Sequence, residues 1–264
     1  MIHRRDTGDT DMAQRCCESE WQLPNAELSL PRTEVHVWRA SLDQPQALTN
    51  YFPTLAPEEK ERAARFHFQK DREHFIAARG LLRAILSRYL KERPDRLAFG
   101  YGPRGKPFLV GQNSGDVHFN VSHARGLALY AIAYRRELGV DLEYVRQEVA
   151  QEQIAERYFS AAEVSCLRAL PVRQQAEAFF NCWTRKEAYI KAKGEGLSLA
   201  LDRFEVSLVP GEPAALLRVR DSTDDVARWA MVELAPRAGF KAALVVEGQD
   251  WRLRCWQWPE LEYL

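Results

Sequence analysis

Apolar and polar residues alternate at Val35-His36-Val37-Trp38, which predicts a strand, because successive strand side chains point to opposite faces. Upstream, through Leu28-Ser29-Leu30-Pro31, periodicity is weak and turn formers are frequent, so residues 1–33 are expected to form a flexible N-terminal extension. Ala56-Pro57-Glu58-Glu59 then opens a helix with proline in its first turn. From Arg72 to Lys91 the residues Phe75, Ile76, Leu82, Ile85, Leu86, Tyr89 and Leu90 recur at helical spacing, and Pro94 follows the stop. Phe99 to Phe108 is a glycine-rich turn between short extended pieces, and it presents Lys106. Val117–Val121 and Leu127–Tyr134 read as strands joined through Ser122-His123-Ala124-Arg125-Gly126.

The pattern restarts at Gly139. A short apolar strand, Gly139–Glu143, precedes helices predicted over Val149–Tyr158, Ser160–Ala169 and about Arg173–Lys193, the second opened by a Ser160/Glu163 capping box. Strands are then predicted over Phe204–Val209, Leu216–Val219, Trp229–Leu234, Phe240–Val246 and Leu253–Trp258. Both halves mix strand and helix in a related order, which predicts an α+β protein of two similar lobes, 34–138 and 139–264. No Ser/Gly tract separates them, so close packing is expected.

Composition narrows the function classes. The 264 residues are 46% hydrophobic and 28% charged, enough for a well-buried core. Lys plus Arg and Asp plus Glu both number 37, so no global field draws nucleic acid or an anionic membrane, and an anion must be captured locally. Five cysteines without CxxC spacing argue against zinc and against a disulfide framework. No stretch reaches the roughly 18 apolar residues of a spanning helix, and the first thirty residues lack a signal-like apolar core, so a cytoplasmic protein is expected.

The candidate chemistry lies in two segments. At helical spacing Trp183, Glu187 and Lys191 share one face, and in a strand Asp141 and Glu143 do the same. Glu187 and Lys191 alone could be a surface pair contributing roughly 0.2–0.5 kcal/mol. Three hard oxygen ligands beside cations instead suit Mg²⁺ on a substrate phosphate. Lys106 in a Gly-Lys-Pro turn, Ser122 and His123 at a strand end, and Arg79 on a small-residue part of a buried-looking helix are candidate phosphate contacts. A Ser122–His123–Asp141 hydrolase is disfavoured, since adjacent strand side chains diverge and G-x-S-x-G is absent. P-loop and dinucleotide glycine motifs are absent as well.

Gly-Val-Asp-Leu-Glu at 139–143, followed about forty residues later by Trp183-x-x-Lys186-Glu187-Ala188-x-x-Lys191 and Gly194-x-Gly196-Leu197, resembles the Sfp-type 4′-phosphopantetheinyl transferases in their Trp/Lys-Glu-Ala branch. Gly105-Lys106-Pro107, Phe119-Asn120-Val121-Ser122-His123, Arg157-Tyr158-Phe159-Ser160 with Glu163, and Phe66 through Arg79 extend the resemblance over roughly residues 34–250. It implies a pseudo-twofold monomer of two α+β lobes with the active site between them, and coenzyme A as co-substrate. Asp141, Glu143 and Glu187 would hold Mg²⁺. Arg79, Lys106, Ser122, His123, Lys186 and Lys191 would bind coenzyme A, with Arg79 at its 3′-phosphate. Glu187, Lys191 and Asp141 would carry catalysis, Glu187 taking the proton of a serine on an apo acyl or peptidyl carrier protein directly or through water. Arg157 to Glu163 would border the carrier-docking surface. The chain departs from the best-known branch at Glu59, where that branch has a lysine; Lys60 and Arg62 nearby are read as solvated. Two other classes share these residues: a Mg²⁺-dependent phosphotransferase or phosphohydrolase on another nucleotide, and a non-catalytic coenzyme A- or carrier-binding protein.

Overall fold

The computed structural model describes residues 20–259 apart from 25–26, 45–46, 112–113, 147–150, 195, 197–198, 221 and 223. Most of the expected N-terminal extension, Val149 at the predicted helix start, and Glu195 and Leu197 of the glycine segment lie outside the described residues.

One order of elements occurs twice. The strand β1 (Glu34–Ser41) leads through α1 (Ala47–Tyr51) and α2 (Pro57–Ala64) to the 22-residue α3 (Gln69–Leu90). A ribbon of β2 (Ala98–Tyr101) and β3 (Pro107–Val110) and a hairpin of β4 (Val117–Ala124) and β5 (Leu127–Tyr134) follow. The repeat begins with β6 (Leu138–Tyr144), α4 (Gln151–Tyr158) and α5 (Ala161–Ala169), and reaches a second 22-residue helix, α6 (Val172–Lys193). Then come the ribbon β7 (Phe204–Val206) with β8 (Leu216–Val219), the short α7 (Asp224–Arg228), and the hairpin β9 (Trp229–Leu234) with β10 (Phe240–Glu247). The sheets match: strand order β1-β5-β4 in one corresponds to β6-β10-β9 in the other.

The last strand is β11 (Arg252–Gln257). It pairs parallel with β1, Cys255 opposite Val37 and Trp256 opposite Trp38, so the chain ends in the first sheet. Its alternation marks a strand, but the sheet it joins is decided by burial: Trp256 packs with Trp38 under α3, while Cys255 faces the other sheet. The described part of the N-terminal segment packs on the first sheet and core. Gln22 bridges to Trp256 and Leu28 is buried in the first core, apolar area that the segment removes from water.

Helices cover the outer faces. Ile76, Leu81, Leu82, Ile85 and Leu86 of α3 pack on Trp38, Tyr130 and Ile132, and α6 packs Tyr189 and Ala188 against Ala243 and Val245. The inner faces meet, with Val35, Val37, Leu129 and Ala131 among Val140, Leu142, Leu244 and Val246. A helix–sheet–sheet–helix stack explains why β5 is apolar at almost every position, being covered on both sides.

Between β4 and β6 side chains substitute for a backbone ladder. The Val140 N–H donates to Asn120 Oδ1 at 2.9 Å and the Leu142 N–H to Ser122 Oγ at 3.2 Å, satisfying buried donors that flank Asp141. On its other side β6 presses on α6 through Gly139, where a Cβ would lie 2.2 Å from the Ala188 carbonyl oxygen. These two contacts place the seam between the lobes.

Candidate active site at the seam between the lobes

From Asn181 to Ala192 every residue of α6 is buried except Trp183, Glu187 and Lys191. The 3.6-residue turn puts these three in one stripe, and it runs along the end of β6. Trp183 anchors it by stacking on Phe179 and meeting Tyr158 of α4 edge-on. Gly194, with φ of 70°, ends the helix by taking the left-handed conformation that few other residues accept.

Lys191 binds the acid of the facing strand. Its Nζ lies 2.6 Å from Asp141 Oδ1 and donates also to Ser122 Oγ at 3.1 Å and to the Val140 carbonyl at 3.2 Å. Ser122 Oγ donates to the same Asp141 oxygen at 3.1 Å. The other oxygen, Asp141 Oδ2, is buried and has no hydrogen-bond partner. Glu143 and Glu187 stand close enough to feel this charge. Burial first, and then Asp141, raises the pKa of each, while Lys191 opposes the rise. Among the described residues no three His, Cys, Asp or Glu side chains converge tightly enough to grip a metal ion as they stand. A carboxylate oxygen orphaned in the interior and two acids kept from ionising easily are nevertheless what a bound cation relieves.

His123 follows Ser122 on β4 and points the other way, so these residues do not form a triad with Asp141. Its exposed edge meets solvent, yet burial of the rest of the ring, with Lys191 and His74, holds its pKa below the ordinary imidazole value and favours the neutral form.

Three of the expected ligand contacts have partners within the protein. Lys186 is fully buried, and its Nζ donates to the carbonyls of Leu201 at 2.7 Å and Phe204 at 2.6 Å and pairs with Glu163 at 2.8 Å. An ammonium with all its donors spent inside the lobe has none for a phosphate. Arg79 is not a guanidinium awaiting an anion: Glu59 Oε1 lies 2.6 Å from its Nη2 and 2.8 Å from its Nε, and its Nη2 also donates to the Tyr101 hydroxyl at 2.9 Å. Glu59 also pairs with buried Arg83, so the carboxylate that departs from the family pattern neutralises this part of α3. Lys106 is likewise engaged away from the acids, its Nζ 2.8 Å from Glu137 Oε2. It lines a recess of about 420 Å³ with Phe108, His118, Phe119, Glu137 and Gly194; none of Asp141, Glu143 or Glu187 borders that recess.

Sequence reasoning assigned no role to Asn120 or Glu137, and it named Glu59 only as a helix-start residue and a departure from the family pattern. Asn120 was visible only as part of a short motif, and the partners of the two acids are distant in sequence.

Fold and site define an enzyme of two repeated α+β lobes with a carboxylate–ammonium centre at the seam, suited to handling an anionic donor. The 4′-phosphopantetheinyl transferase superfamily matches residues 137–245, and the family described as 4′-phosphopantetheinyl transferase, N-terminal, matches residues 36–134. A relative named 4′-phosphopantetheinyl transferase HetI, from a Nostoc species, is 41% identical over 240 residues, covering 90% of this chain and 98% of the relative. A putative 4′-phosphopantetheinyl transferase from Synechocystis is 32% identical over 202 residues, 76% of this chain and 79% of its own. The Bacillus subtilis 4′-phosphopantetheinyl transferase Sfp is 32% identical over 154 residues, 58% and 66% respectively. The chain belongs to the 4′-phosphopantetheinyl transferase superfamily and is a transferase enzyme. Members of the family use coenzyme A and act on carrier proteins.

Proposed function

We propose that this enzyme moves the 4′-phosphopantetheine arm of coenzyme A to a serine hydroxyl of an apo acyl or peptidyl carrier protein and releases adenosine 3′,5′-bisphosphate. The observation that carries the reading is the α6 stripe, Glu187 and Lys191, facing Asp141 at the seam of the lobes.

The serine oxygen forms a new bond to the β-phosphorus as the bond from that phosphorus to the bridging oxygen breaks in line. Glu187 takes the serine proton from its place on the α6 stripe that faces Asp141. Lys191, already turned inward by Asp141 and Ser122, meets the charge that grows on the leaving phosphate. His123, kept neutral, has a ring N–H for a phosphate oxygen without adding charge. Asp141, Glu143 and Glu187 would hold Mg²⁺, which supplies positive charge to the pyrophosphate when bound. The orphaned Asp141 Oδ2 supports that donor set. Positioning and charge stabilisation, rather than covalent catalysis, account for the acceleration.

Incubation with coenzyme A, Mg²⁺ and a panel of apo fatty-acid, polyketide and peptide carriers, followed by intact-mass measurement, tests the reading. A phosphopantetheine adduct on at least one carrier is expected. Mass unchanged throughout the panel sinks it.

A further inference from the structure

Lys106 sits at the tip of the β2–β3 ribbon, in the first lobe, and reaches into the second. The turn that presents it closes through Gly102 N–H to the Lys106 carbonyl at 2.9 Å, with Gly105 at φ of 81°. Its Nζ donates to the Leu138 carbonyl of β6 at 3.3 Å and to the Ala192 carbonyl of α6 at 3.2 Å, and pairs with Glu137. Glu137 in turn pairs with His118 Nδ1 of β4 at 3.0 Å. Four elements, the ribbon, β4, β6 and α6, thus meet at one ammonium.

The place is specific. Ala192 follows Lys191 directly, and its carbonyl belongs to the last turn of α6, where the carbonyl oxygens have no N–H donor within the helix and carry partial negative charge. Leu138 lies three residues before Asp141 on β6. Between these two tethers stands Gly139, whose missing side chain lets β6 and α6 touch, a Cβ there falling 2.4 Å from the Ala192 nitrogen. Lys106 therefore ties together the backbone segments that carry both members of the Lys191–Asp141 pair, beside the contact of β6 with α6 at Gly139. A lysine serving as a phosphate contact would have no such reason to cap a helix end and a strand at once.

We propose that Lys106, held by Glu137, is a positioning residue: a clamp between the lobes that sets the last turn of α6 and thereby the register of Lys191 against Asp141. Its effect on transfer rests on the function proposed above; its effect on α6 does not.

The test uses the full-length enzyme carrying Lys106→Met or Glu137→Gln. Hydrogen exchange of the amides at Ile190–Gly194, coenzyme A binding by calorimetry, and kcat and KM for coenzyme A are measured for each. The clamp predicts faster exchange in that turn. It also predicts kcat lowered by roughly ten- to a hundredfold, the scale on which a group displaced by an ångström loses rate, with coenzyme A affinity within about threefold of the parent. Glu137→Gln shifts both readouts the same way by less, since it removes the counter-charge and leaves the lysine. Weakened coenzyme A binding in Lys106→Met at unchanged kcat would make Lys106 a ligand contact and overturn the proposal. So would tighter coenzyme A binding in Glu137→Gln, as expected of a phosphate-binding lysine released from its counter-ion, or unaltered exchange in both variants. The exchange measurement decides the clamp even for an enzyme that modifies no carrier in the panel.

Discussion

Replacing Lys186 by methionine removes an ammonium from a site without solvent. The carbonyls of Leu201 and Phe204 lose donors that stand 2.7 and 2.6 Å away, and the Glu163 carboxylate loses the cation at 2.8 Å. Glu163 keeps the N–H groups of Ser160 and Val206, each at 2.8 Å, but its charge is left uncompensated in the interior. Removing one partner of a buried pair costs about 3–5 kcal/mol, and two orphaned carbonyls at about 1–3 kcal/mol each make the upper half of that range the better value. With a urea slope of about 3 kcal/mol/M, the midpoint falls by roughly 1.3–1.7 M at unchanged slope. Adding Glu163→Gln in the same chain recovers part of the loss, because the uncompensated charge is gone while an amide oxygen still accepts a backbone hydrogen bond. The assay is equilibrium urea unfolding followed by tryptophan fluorescence. A Lys186→Met protein within about 1 kcal/mol of the parent, but with weakened coenzyme A binding, refutes the reasoning and returns Lys186 to the ligand, since a loss that small is what an exposed ion pair gives.

Asp141→Ala raises the Mg²⁺ concentration needed for half-maximal transfer by at least the roughly 10–100-fold that even outer partners of a metal command, and an unchanged metal titration would remove Asp141 from the donor set. Gly139→Ala forces a Cβ to within 2.2 Å of the Ala188 oxygen, backbone that cannot swing aside; a loss of about 2–3 kcal/mol in urea unfolding is expected, and a neutral substitution contradicts the close approach. The pKa of Glu137 is lowered from 4.5 to about 2, by His118 first and also by Lys106. Its contribution to stability is thus complete above about pH 4.5 and disappears as pH falls toward 2. The stability gap between parent and Glu137→Gln should narrow over that window by no more than about 1 kcal/mol, because the side chain is 43% exposed and screened; a gap constant from pH 7 to pH 3 refutes it.

Local periodicity carried the parts of the site that lie on one element. Glu187 and Lys191 share a helix face at i,i+4, and Asp141 shares a strand face with Glu143, so spacing alone brings out both pairs. What spacing cannot convey is which distant group a charge will meet. Lys186 looked like one more helix lysine beside Glu187, yet a helix of 3.6 residues per turn rotates it about 100° from its neighbour, into the lobe where Glu163 of α5 waits. Arg79 is claimed by Glu59, 20 residues upstream, a carboxylate in the first turn of α2 that also accepts the Ala56 N–H at 3.0 Å. Likewise the β11 pattern marked a strand, whereas its place beside β1 follows from Trp256 and Cys255 filling opposite faces of the first sheet. The repeat of elements was legible because each half carries its own 22-residue helix and its own hairpin.

Glu187→Gln bears most directly on the claim that the seam between the lobes performs the transfer. The substitution keeps the size and hydrogen-bonding shape of the side chain and removes its capacity to take a proton. Single-turnover transfer to a carrier that the parent modifies, with coenzyme A and Mg²⁺ saturating and the product followed by intact mass, should fall by about the 10²–10⁴-fold that a general base contributes, with coenzyme A binding largely retained. Transfer at the parental rate would contradict the account.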